Sequence, residues 1–108
     1  MLNIYPVVLE GIASLRPILV QIERRDRDLS RQLRRAASSV ALNIAEGMCS
    51  RGRNRTLRYH TALGSMRETR ACLEVAVAFG YLASVDVELE RRCDHVTGTL
   101  VRLVEGPA

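Results

Sequence analysis

The 108-residue sequence has no tryptophan and no lysine, and aromatic residues make up 4% of it. Tyr5, Tyr59, Phe79 and Tyr81 are the whole aromatic set, so a core has to be built from Leu, Val, Ile and Ala, which favours helices. Cys49, Cys72 and Cys93 form an odd, widely spaced set without a C-x-x-C pair. That excludes a disulfide framework and a zinc site of ordinary spacing, and the three read as reduced core thiols. Long apolar runs are lacking as well. The longest stretch without a charge, Val75 to Val85, is well short of the ~20 apolar residues that span a bilayer. Near the start, Glu10 and Arg16 interrupt any signal-like segment. The expectation is a cytoplasmic chain with no membrane segment.

What is present suits a globular protein. Apolar residues make up 47% and charged residues 26%, near the average for folded domains. The length suits one domain over residues 1–108, with a core modest enough that burial between subunits would supplement it. The net charge is +4 and all 16 basic residues are arginine. The charge is segregated. Residues 23–35 carry six Arg against Glu23, Asp26 and Asp28, and residues 51–70 carry six against Glu68 alone. Residues 86–108 are acidic, with Asp86, Glu88, Glu90, Asp94 and Glu105 against three Arg.

Four segments match helical apolar spacing and none matches strand alternation. The spacing predicts helices over approximately 6–25, 28–47, 54–79 and 85–104. The first uses Leu9, Ile12, Leu15, Leu19 and Ile22, with Pro6 in its first turn and a bend before Pro17. The second uses Leu29, Leu33, Ala36 or Ala37, Val40 and Ile44, is capped by Asp26 or Asp28, and stops at Gly47. Its small middle, Ala36 to Ser39 and Ala41, permits close approach of neighbours. Gly47 to Arg53 reads as the longest loop, with Asn54 or Thr56 capping the third helix. That helix uses Tyr59, Leu63, Met66, Thr69, Leu73 and Ala76 and ends at Gly80. Ser84 would cap the fourth, which uses Val85, Leu89, Cys93, Val96, Leu100 and Leu103. Helices of equal length with short connections give an all-α, antiparallel up-down-up-down four-helix bundle.

The stretch Gln32-Leu33-Arg34-Arg35-Ala36-Ala37-Ser38-Ser39-Val40-Ala41-Leu42-Asn43-Ile44-Ala45-Glu46-Gly47 resembles the core of the family called four helix bundle protein, also described as 23S rRNA intervening sequence protein. Ala62-Leu63-Gly64-Ser65-Met66-Arg67-Glu68-Thr69, followed by Gly80-Tyr81-Leu82, resembles that family's second block. The resemblance covers roughly residues 5–105. It implies a bundle assembled into a homopentameric ring, no enzymatic activity, and relatives that partner nucleic acid or a reverse transcriptase. The family is usually more apolar where this chain has Arg58, His60 and Thr61.

Two functional readings follow. Arg24, Arg27, Arg31 and Arg34 or Arg35 recur along one face of the second helix. Together with Arg51, Arg53, Arg55 and Arg58 they could grip RNA or DNA phosphates. The competing reading pairs this stripe with Asp86, Glu90 and Asp94, within a subunit or between subunits, leaving a protein-interaction scaffold with no free basic face. Arg35, Ser39, Asn43, Glu46, Gly47, Gly64, Ser65 and Glu68 read as structural or subunit contacts. Arg53 and His60 also resemble the Arg-x4-6-His signature of helical ribonucleases of the HEPN class, a third and weaker reading. No P-loop, H-E-x-x-H or nucleophile-elbow motif is present, so no catalytic residue, metal or cofactor is expected.

Overall fold

The structure, a computed structural model, describes residues 3–106. Among these there are four helices and no strand: α1 (Ile4–Glu23), α2 (Arg27–Met48), α3 (Gly52–Ala78) and α4 (Val87–Glu105). They close into a four-helix bundle in which α1 packs on α2 and α4, and α3 packs on α2 and α4, with α2 against α3 the most extensive pairing. The molecule is elongated, 44 × 23 × 20 Å.

Each helix buries one stripe. On α2 the expected Leu29, Leu33, Ala36, Ala37, Val40 and Ile44 are all buried. On α3 the same holds for Tyr59, Leu63, Met66, Leu73 and Ala76. Thr69 fills the polar gap in that stripe by donating its hydroxyl to the Ser65 carbonyl at 2.8 Å, so its own burial leaves that hydroxyl satisfied. On α1 the stripe is Ile4, Val8, Leu15 and Ile22, whereas Leu9, expected inside, is exposed. The helix continues through Pro17 without interruption. Its length and hydropathy meet the bare requirement for a membrane span; four of its residues are buried in the bundle core and Tyr5, Val7, Ile12, Ile18 and Leu19 pack against it, while Leu9 and Val20 are exposed.

The ends differ from expectation in detail. Asp26 caps α2 as anticipated, accepting from the Leu29 amide at 2.9 Å. Gly47 does not stop α2. It lies one residue inside the helix, and a Cβ there would sit 2.7 Å from Tyr59 Cδ1, so close packing requires the glycine. The long loop expected after it shrinks to Cys49–Arg51, because α3 begins at Gly52, with φ +57°. Arg51 occupies the cap position without a side-chain bond, and neither Asn54 nor Thr56 caps the helix. Gly80, with φ +79°, ends α3 as expected. Its amide donates to Val77 and the Tyr81 amide to Ala76, the paired bonds of a left-handed helix stop. Asp86, not Ser84, caps α4, accepting from the Leu89 amide at 3.2 Å. Both residues are eligible caps, and a helix start two residues later selects the carboxylate.

Candidate nucleic-acid interface

The arginines fall into two groups at opposite ends of α2. Arg27, Arg31 and Arg34 lie at i, i+4 and i+7 on its first two turns, and with Glu23 they line an open polar depression. Arg34 comes within 3.9 Å of Glu23, but both side chains are more than half exposed, so the pair is weak. Arg24 and Arg25, at the end of α1, are exposed beside this site. Arg51, Arg53, Arg55 and Arg58 lie around the other end of α2, roughly 20–35 Å from Arg34 and Arg27 at 1.5 Å per residue. The two groups therefore form two surfaces, not the single one their sequence proximity suggests.

Arg55 has an internal task. Its Nε donates to the carbonyls of Gly47 at 3.1 Å and Ser50 at 2.8 Å, closing the C-terminal end of α2. Arg51, Arg53 and Arg58 are exposed. The acidic stripe of α4 does not cover the basic stripe of α2, because the two helices face each other across the core. Asp94 accepts instead from Arg70 on α3 at 2.7 Å, which holds that guanidinium's pKa above its ordinary value. Among the described residues the other ion pairs are Arg34–Glu23 and Arg91–Glu88. Intrachain pairing of the two stripes is thus overturned.

The expected contact residues divide similarly. Ser39 and Ser65 share a hydrogen bond at 2.7 Å across α2 and α3, and Asn43 donates to the Ser39 carbonyl and hydroxyl. These three form one polar seam. Arg35, Glu46 and Glu68, expected to be buried and paired, are exposed within the chain. Gly64 is exposed beside the seam, with nothing within 4 Å of where a Cβ would point. Leu42 and Leu57 are 65% and 56% exposed on these same helices.

Arg53 and His60 are both exposed on α3, seven residues apart and so on one side of it. No group of three His, Cys, Asp or Glu able to hold a metal occurs among the described residues. Cys72 and Cys93 are buried, and burial pushes both thiols up from their ordinary value. Cys49, expected with them in the core, is exposed in the α2–α3 connection. Sequence reasoning missed a cluster of Arg25, Phe79 and Tyr81 at the Arg27 end of the bundle.

The sequence profile of the 23S rRNA-intervening sequence protein family matches residues 19–102. The chain belongs to that family. The fold agrees: a crystal structure of a protein of unknown function from the S23 ribosomal protein family of Bacteroides thetaiotaomicron superposes with a TM-score of 0.80. It covers 94% of this chain and 98% of its own at 18% identity, so the likeness concerns the fold alone. No curated protein matches the sequence. Within the 23S rRNA-intervening sequence protein family match lie the α2 arginines, the Ser39–Asn43–Ser65 seam and the α2–α3 connection.

Proposed function

We propose that the chain is a non-enzymatic, cytoplasmic binding scaffold that holds structured nucleic acid through the arginine end formed by α1 and α2. The carrying observation is the depression lined by Arg27, Arg31 and Arg34, where Glu23 is the one carboxylate among the lining residues. Three guanidinium groups on successive turns match successive phosphates, and arginine binds each in a bidentate fork. The family's name, which refers to rRNA, is in keeping with this partner. A protein that itself handles nucleic acid, such as a reverse transcriptase, is the competing occupant of the same surface.

The helices are proposed to alternate in direction, as Gly47 opposite Tyr59 and Ser39 opposite Ser65 support for α2 and α3. Five copies are proposed to form a ring, by resemblance to the family. The exposed Leu42 and Leu57 and the open space at Gly64 favour the α2–α3 face as its contact.

The test is fluorescence anisotropy of a structured RNA and a matched DNA duplex, titrated from low to physiological salt. Log affinity should fall linearly with log salt. Replacing Arg27, Arg31 and Arg34 by Ala should lower affinity and flatten that slope by roughly one for each phosphate left without its guanidinium. Replacing Arg51, Arg53 and Arg58 should have the smaller effect. Absence of binding at low salt would refute the proposal and direct attention to a protein partner.

A further inference from the structure

Two of the chain's few aromatic rings are joined by the turn that ends α3. Gly80, at φ +79°, reverses the chain between Phe79 and Tyr81. The two rings stack with centroids 5.3 Å apart and planes 15° from parallel. Tyr81 is fixed from several directions. Its hydroxyl donates to Asp26 Oδ2 at 3.2 Å, and its carbonyl accepts from Gln21 Nε2 at 3.1 Å. The Arg25 guanidinium carbon lies 5.6 Å from its ring centre. Phe79, by contrast, is 64% exposed.

A phenyl ring held parallel to a clamped neighbour and open to solvent is preorganised for one more flat partner, since little rotamer freedom remains to be lost on stacking. The chemistry around it narrows that partner. Asp26, which holds the Tyr81 hydroxyl, is also the N-cap of α2, so the stack and the arginine depression share one end of the bundle. An aromatic surface at the same end of the bundle as Arg25 and the arginine depression suits a ligand that is flat in one part and anionic in the next. That is an unpaired nucleotide of a strand or loop, whereas a closed duplex hides the faces of its bases.

We propose that Phe79 is a stacking platform for an unpaired nucleobase, and that this end of the bundle binds looped or single-stranded segments in preference to plain duplex. The inference rests on the phosphate-binding reading of the Arg27, Arg31 and Arg34 surface.

The experiment compares an RNA hairpin carrying 2-aminopurine in its loop with the same stem as a blunt duplex. The proteins are the wild type, Phe79→Ala, Phe79→Trp and the Arg27, Arg31, Arg34 triple Ala variant. The wild type should bind the hairpin more tightly and quench the loop fluorophore. Phe79→Ala should lose roughly five- to a hundred-fold in hairpin affinity, lose the quenching, and bind the duplex as before. Phe79→Trp should retain both, and the triple variant should weaken both probes. If Phe79→Ala binds and quenches like the wild type, the platform is refuted while the phosphate reading stands on the triple variant. If the wild type binds neither probe, both readings fall. A changed native mass for Phe79→Ala would assign Phe79 to a subunit contact and overturn the platform as well.

Discussion

Gly47 and Gly64 belong to the same conspicuous stretches of sequence, yet their surroundings are opposite. At Gly47 an added methyl group would press into the Tyr59 ring, which is itself 4% exposed and cannot swing aside into solvent. Gly47→Ala should therefore destabilise the fold by about 1–3 kcal/mol, read by chemical denaturation. Gly64 is mid-helix with empty space before it. In an isolated subunit Gly64→Ala should stabilise by about 0.5–1 kcal/mol, since Ala is the better helix former. The cysteines divide in the same way. A thiol reagent should modify Cys49 rapidly in the native protein and reach Cys72 and Cys93 only on unfolding. Burial raises both core thiols above the ordinary 9.0, with Glu68 adding to the effect at Cys72 and Arg70 opposing it at Cys93. A raised folded-state value stabilises fully below the unfolded-state value and is lost as pH rises through the folded one. Thermal stability should accordingly fall above about pH 9, and the buried Tyr59 phenol, raised above 10.0, extends the decline.

At the scale of elements, Asp26 couples three helices. One oxygen caps α2 and the other accepts from Tyr81 beyond α3, while its own amide donates to Ile22 of α1. Asp26→Ala should cost about 1–2 kcal/mol, more than a cap alone, measured against Asp28→Ala as a first-turn control. The sequence made the elements legible wherever one stripe dominated. Leu63, Met66, Thr69, Leu73 and Ala76 leave α3 a single buried face. On α1, Leu9 and Val8 are neighbours of similar character, and only the packing against α2 and α4 decides which goes inside. Helix starts were ambiguous where two good caps lay within two residues, as at Ser84 and Asp86. The candidate site was legible as composition but not as placement. Arg31 and Arg51 are close in sequence and fall at opposite ends of a 22-residue helix. Nothing in a sequence of so few aromatics announces that Phe79 and Tyr81 stack, except the glycine between them.

For the whole molecule, the question is what the α2–α3 face meets. Leu42, Leu57 and Gly64 are open in the single chain, and a ring of copies would cover them. Gly64→Leu should then reduce the native mass, measured by light scattering or native mass spectrometry, while leaving the helical content of each chain intact. An unchanged mass would place the contact elsewhere.

The 44 Å length of the bundle, with arginines concentrated at both tips, also bears on how an encounter begins. At the Arg27 tip the start of α4, diagonal to α2 in the bundle, carries exposed Asp86, Glu88, Glu90 and Asp94. Near a polyanion this separation across the tip exerts a torque about the long axis: the α2 corner is drawn in and the α4 corner is turned away. Approach is thereby oriented before any contact is made, and the surface presented first is the α2 corner of that tip.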